Sequence, residues 1–221
     1  MCWSFEVSIL SGLFSYTVAA YLWMRNYKND RWFSMLLFTF SSIQWLEAII
    51  WYASGCSSKC NGSCGTGNVN ANGSLSIVVA MTLIPIVIAM EPVVSLYGAH
   101  YMGNEIATPE IVIYGLAFIF ILYSMYTSTS YPDIIGDGGI KYTKGDEQTD
   151  YQYPIGLLLF GLLAVYPLLR YNNFGTFYVG ISVAFLIALT FAVFRKHSIA
   201  SSWCLYSNVF AGIVLFYPYL A

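Results

Sequence analysis

The chain has 221 residues, 58% of them hydrophobic and 9% charged, with a mean hydropathy of +0.64. A water-soluble domain carries about 25% charged residues, so this composition cannot clothe a soluble globule, and the solvent it suits is a bilayer. The net charge of −2 argues against a nucleic-acid partner, which needs a basic patch.

Seven stretches approach the roughly 20 apolar residues that cross about 30 Å of hydrocarbon as a helix: 5–24, 32–52, 75–100, 110–130, 153–169, 174–194 and 200–220. The ten-residue alternating segments of a membrane barrel do not occur. The expected fold is all-α: one transmembrane domain over 1–221, a bundle of seven helices with two longer outer loops.

In chain order, "MCWSFEVS" sets Cys2, Trp3 and Glu6 ahead of any basic residue, the reverse of a secretory leader. It reads as the outer end of the first helix. "RNYKNDR" (25–31) follows as a tight turn. Positive residues near the first helix favour the cytoplasmic side, which places the N-terminus outside and the C-terminus inside. The second stretch contains "SSIQWLEAIIW", where Ser41, Gln44 and Glu47 share a helical face.

The loop at 53–74 then lies outside. It carries Cys56, Cys60 and Cys64 and two glycosylation sequons, at Asn61 and Asn72. With Cys2 these make four cysteines on the oxidising side, and two disulfides are expected, with three connectivities open. The x3 spacing of the loop cysteines would also suit thiolate ligation of a metal. No histidine lies in the loop, and disulfides are the preferred reading; no metal is assigned.

The third stretch contains "AMEPVVSLYGAH". Glu91 precedes Pro92, which removes a helical hydrogen bond, and Pro85 lies earlier; irregularity is expected around the deeper half of this helix. His100 ends it as a cap. The fourth offers Tyr123, Ser124 and Thr127. Residues 131–152 form an acidic outer loop with a hairpin signal. "RYNN" and "RKHS" are short turns whose Arg170 and Arg195 snorkel to the interface. The last stretch holds Cys204, Ser207 and Asn208 but no lysine, so it cannot anchor a retinal Schiff base, and no other cofactor is indicated.

Ionisable groups within a membrane are costly and mark function by default. At about 1.5 Å per residue, Glu47 lies roughly 8 Å and Glu91 roughly 24 Å below the outer surface, too far apart for a catalytic or di-metal pair. They read instead as stations on a polar path, with Gln44, Asn208, Ser207 and Tyr123 as intermediates. The competing reading is helix packing by hydrogen-bonded polar side chains. No zinc, nucleophile-elbow or phosphate-loop motif occurs, so no enzyme chemistry is indicated.

"MCWS", "QWLEAIIW", the cysteines of the following loop and "MEPVV" together resemble a family of uncharacterised polytopic membrane proteins of bacteria, algae and large DNA viruses. The resemblance covers about the first hundred residues. It implies a seven-helix membrane fold, in a host or virion membrane for a viral member, and no established activity. That family has Gln where this chain has Glu91, so the resemblance gives more weight to Glu47 and Cys2. The expected function is an ion or proton channel, or a small-solute transporter. The alternatives are a structural component of a membrane or virion, and a protein that binds lipid or a hydrophobic cofactor. Lipid is the expected surrounding, and a homo-oligomer is compatible with every reading.

Overall fold

The computed structural model describes residues 4–53, 73–134, 140–143, 152–171 and 199–220. In order these form α1 (Phe5–Arg25), α2 (Asp30–Ala53), α3 (Gly73–Val78), a π-helical turn (Val79–Leu83) and α4 (Ile84–Tyr101). Then come α5 (Thr108–Ser128), strands β1 (Thr129–Ile134) and β2 (Ile140–Thr143), α6 (Gln152–Tyr171) and α7 (Ile199–Leu220). The stretch at 174–194 lies outside the described residues. Counting α3 to α4 as one rod, six long helical rods are described. Four of them, Phe5–Arg25, Asp30–Ala53, Leu75–Tyr101 and Thr108–Thr127, are long and apolar enough to cross a bilayer. Seven crossings are therefore not established.

Local chemistry explains the ends of α1. Ser4 is its N-cap, the hydroxyl accepting from the Val7 amide at 3.3 Å, and such a cap satisfies a backbone donor that the first turn leaves over. Asn26, at φ 50°, stops the helix in the left-handed region while its amide still donates to the Leu22 carbonyl. Asparagine enters that region more readily than most residues.

The packing of α1 is the inverse of a soluble helix. Its buried face is Ser8, Ser11, Gly12, Ser15 and Ala19, with Val18 and Leu22, whereas Leu10 and Met24 are 66% and 75% exposed. Large apolar groups facing outward and small ones inward are the pattern of helices packed in lipid, where close backbone approach replaces the hydrophobic effect. This is the surface of a membrane-embedded protein. At Gly12 a methyl group would sit 3.0 Å from the Trp45 indole, so the contact between α1 and α2 depends on the missing side chain.

The rod from Gly73 to Tyr101 departs from the expectation. Its irregularity precedes Pro85 instead of following it: Val79–Leu83 is π-helical, with the Ile84 amide donating to the Val79 carbonyl. Pro85 has no N–H to give the Met81 carbonyl, so the ladder must shift just before it. Beyond that turn α4 stays α-helical through Pro92. The bundle is helical as expected, and α5 ends at Ser128 and runs into an antiparallel hairpin near the segment that carries the hairpin signal. In the hairpin Asp133 pairs with Lys141 and Ile134 with Ile140, and the register is irregular between Thr129 and Asp133. Pro132, lacking a ladder donor, falls within that irregular step.

Helix directions follow from cross-links. Trp32, near the start of α2, donates its indole N–H to the Ser95 carbonyl late in α4 at 2.8 Å. Glu110, at the start of α5, accepts from Tyr166 late in α6 at 3.0 Å. Arg31 donates to the Tyr101 hydroxyl at 3.1 Å. Together with Arg25, which reaches α7, these contacts make α1, α4, α6 and α7 run one way and α2 and α5 the other. The ends of α1, α4, α6 and α7 gather at one end of the bundle, with Arg25, Arg31 and Arg170. Consequently α6 ends and α7 begins at opposite ends.

The tightest of these links is ionic. Arg25 grips Asp30 with two hydrogen bonds, Nε to Oδ2 at 2.6 Å and Nη2 to Oδ1 at 2.8 Å, and Asp30 is 1% exposed. Oδ2 also accepts from the Tyr27 amide at 2.8 Å. On its other side Arg25 donates to the carbonyls of Leu215 (3.0 Å) and Val214 (3.5 Å) in α7. Pro218 cannot supply the Val214 carbonyl with its usual helical donor, so the guanidinium takes that place.

Removing one member leaves a buried charge uncompensated, at a cost of about 3–5 kcal/mol, whereas replacing both by apolar groups is much less costly. Arg25→Met and Asp30→Leu are each expected to lower the Tm in detergent markedly, and the double variant less than either. Thermal melts of the three variants check this; an additive double variant contradicts it.

Candidate functional site

Among the described residues, two polar regions lie deep between the helices, and they are built differently. The first joins α1, α2 and α7. Asn208 Oδ1 accepts from the Ser15 hydroxyl at 3.0 Å, and its Nδ2 donates to Ser11 Oγ at 2.6 Å. Gln44 Nε2 donates to Ser207 Oγ. The sequence singled out Gln44, Ser207 and Asn208, and the structure brings them together with two serines of α1 that it did not single out. Their signal was present as the small-residue spacing 8, 11, 12, 15, 19. Gln44 Oε1 and the hydroxyl of Ser41, both buried, have no hydrogen-bond partner among the described residues. Glu47, on the same helix, is 1% exposed.

The second region surrounds Glu91, which is 2% exposed. It borders a cavity of about 70 Å³ lined also by the rings of Trp32, Phe40, Phe160, Tyr206 and Phe210 and by aliphatic side chains. Its Oε1 has no hydrogen-bond partner among the described residues. The walls are held from behind. Trp32 is fixed by its bond to the Ser95 carbonyl and packs edge-on against Phe33, with ring centroids 5.0 Å apart. Ser95 in turn donates its hydroxyl to the Ala164 carbonyl of α6 at 2.7 Å. A methyl group on Gly98 would lie 2.5 Å from the Trp32 ring, so glycine is what lets α2 approach α4 here. Pro92 also deprives the Ile88 carbonyl of its helical donor, one turn before Glu91.

Glu91 shares its cavity with Leu36 and Phe40 of α2, seven to eleven residues or about 10–16 Å along the axis from Glu47. The two carboxylates therefore occupy different levels. Tyr123 does not join either region: it is 57% exposed on the outer face of α5. Thr127 turns its hydroxyl to its own helix, at the carbonyls of Tyr123 (3.0 Å) and Ser124 (3.1 Å). Ser124 is buried against Gly156 of α6, where a methyl group would lie 2.6 Å from its hydroxyl. Cys2, Cys56, Cys60 and Cys64, with the sequon residues Asn61 and Asn72, lie outside the described residues.

One polar cluster escaped the sequence reading. Glu110 bonds back to the Ala107 amide at 3.0 Å, capping α5, and accepts from the hydroxyls of Tyr166 and Tyr171. Arg170 does not merely snorkel: its Nε lies 3.1 Å from Glu110 Oε1, and its Nη1 donates to the Tyr166 hydroxyl at 2.7 Å. The clue was "ATPE", with Glu three residues after the cap position. His100 meets the Asn104 carbonyl at 3.3 Å at the end of α4, a terminal role.

No protein-family model, no curated protein and no solved structure matches the chain.

The Asn208 bonds have the form of interhelical packing interactions, which in membrane proteins contribute about 0.6 kcal/mol each, up to about 1.7. A Ser15→Ala/Asn208→Ala double-mutant cycle, read by unfolding in detergent, is expected to give a coupling in that range. A coupling of zero would contradict the bond.

Proposed function

We propose that the protein is a membrane transport protein that carries a proton or a small monovalent cation through its helical bundle, with Glu91 as the group that binds it. The observation that carries this reading is the buried Glu91 carboxyl bordering a cavity, with Oε1 unbonded among the described residues. A carboxyl kept for packing has its oxygens tied to neighbouring helices, as Asn208 has its amide tied to Ser11 and Ser15. A negative charge at Glu91 would need a proton or a cation beside it, because lipid supplies neither. Glu47, Gln44 and Ser207 form the approach from the opposite end.

The membrane arrangement belongs to the same proposal. A count of seven crossings is part of it, supported by α6 ending and α7 beginning at opposite ends of the bundle. The end with Arg25, Lys28, Arg31 and Arg170 faces the cytoplasm. A C-terminal tag on intact cells is then expected to resist added protease and to be cut only after lysis; digestion in intact cells refutes the orientation.

Transport is tested in proteoliposomes holding an internal pH dye. Wild type is expected to admit protons under a potassium diffusion potential, or to release them when sodium is added outside. Glu91→Gln should lower that rate at least tenfold while Asn208→Ala keeps most of it. Wild type indistinguishable from empty liposomes in every arm overturns the reading and leaves the architectural one.

A further inference from the structure

The lining of the Glu91 cavity carries more than a proton site requires. We propose that it binds a small alkylammonium cation, the charge paired with Glu91 and the alkyl groups against the five surrounding rings. The proposal rests on the reading of Glu91 as a cation-binding carboxylate, and names the kind of cation.

The chemistry of the walls decides among the candidates. Sodium, calcium and magnesium demand several oxygen ligands. Beside Glu91 the cavity wall is formed by Trp32, Phe40, Phe160, Tyr206, Phe210 and aliphatic groups, and no group of three His, Cys, Asp or Glu occurs among the described residues. A hard ion would lose its water there and gain one carboxylate. A neutral apolar molecule would suit the rings but leave Glu91 Oε1 without a partner. An alkylammonium satisfies both: its N–H groups donate to the carboxylate, and the C–H groups next to the nitrogen share the positive charge that ring faces attract. Aromatic cages recognise methylated ammonium groups in this way.

Size favours a small ligand. An engineered apolar cavity of about 150 Å³ accepts benzene, with six heavy atoms. A cavity of about 70 Å³ is roughly half that, room for about three heavy atoms on the same scale. Ethylammonium and dimethylammonium have three, methylammonium two. Tetramethylammonium, with five, should bind more weakly. The rings are also placed before any ligand arrives: Trp32 and Phe160 are each 1% exposed, and Trp32 is tied to Ser95. A preorganised cage avoids part of the ordering cost of binding.

The test is equilibrium dialysis of the purified full-length protein in detergent against radiolabelled ethylammonium. Saturable binding is expected, displaced by dimethylammonium and not by ethanol, its neutral counterpart of like size, nor by sodium. Glu91→Gln should weaken binding at least tenfold. Phe160→Leu, which keeps an apolar side chain but removes the ring, should weaken it roughly threefold or more. The competition by ethanol and sodium uses the wild type, so it decides the matter even if a variant fails to fold.

Absence of saturable binding, equal displacement by ethanol, or wild-type affinity in Glu91→Gln overturns the proposal. Proton flux without ethylammonium binding rejects this ligand and leaves the transport reading. Binding without flux in any liposome arm rejects transport and leaves a cation-binding protein. The absence of both rejects both.

Discussion

Arg25 closes the turn between α1 and α2 and, with the same guanidinium, holds the last third of α7 by its carbonyls. The height of α7 in the bundle is set there, and the interior contacts depend on it. With the Leu215 carbonyl held by the Arg25 side chain, Asn208, two turns earlier in α7, meets Ser11 and Ser15. Ser207 then meets Gln44, and Tyr206 and Phe210 reach the Glu91 cavity. A slip of α7 by one turn, about 5.4 Å, would break all of these contacts. In lipid the separated partners would find no water to replace them, so one buried ion pair at the end of the bundle fixes polar chemistry two turns and more deeper.

Each of the two interior polar regions keeps at least one buried atom unbonded among the described residues, and they differ in what surrounds it. Between α1, α2 and α7, side-chain amides and hydroxyls meet in short bonds that need a dry, close contact, which the small face of α1 permits. Around Glu91 the neighbours are rings and aliphatic groups, and the carboxyl oxygen Oε1 has nothing to receive from among the described residues. Buried polar groups are bonded in the great majority of proteins, and exceptions call for an explanation. For Glu91 the proposed bound cation or proton would be that explanation, because an unbonded carboxyl beside space is poor packing but a usable binding site.

Much of the scaffold was legible in the sequence, because the thickness of a bilayer imposes a length on apolar runs. Helices α1, α2 and α5 begin and end within two residues of the first, second and fourth stretches read from hydropathy. The polar residues on α2 and α7 were legible too, since Gln44, Glu47 and Asn208 are conspicuous in such segments. What hydropathy cannot supply is rotation about the helix axis. Tyr123 was chosen for its chemistry and proves to face outward, while Ser11 and Ser15, ordinary in composition, face inward. The aromatic wall around Glu91 was hidden for a related reason: its rings come from α2, α6 and α7 and lie up to 178 positions apart, from Trp32 to Phe210. Glu110 and Arg170 are likewise separated in sequence and joined only by the antiparallel pairing of α5 and α6.

The π-helical turn at Val79–Leu83 has a consequence for how this rod can vary. Such a turn amounts to one extra residue in an α-helix, so everything on its outer side is rotated by about 100° relative to an uninterrupted helix. The inner half is pinned by Trp32, Gly98 and Glu91, whereas the outer half answers to different neighbours, with Val79 and Ala80 packed near Ile50 and Trp51. The turn therefore works as a phase-shifter, letting two halves of one helix obey two separate packing patterns. Losing one residue between 79 and 83 would leave the cavity's wall on α4 in place and swing Gly73–Val78 onto another face, changing the approach to the bundle from that end without altering a single group around Glu91.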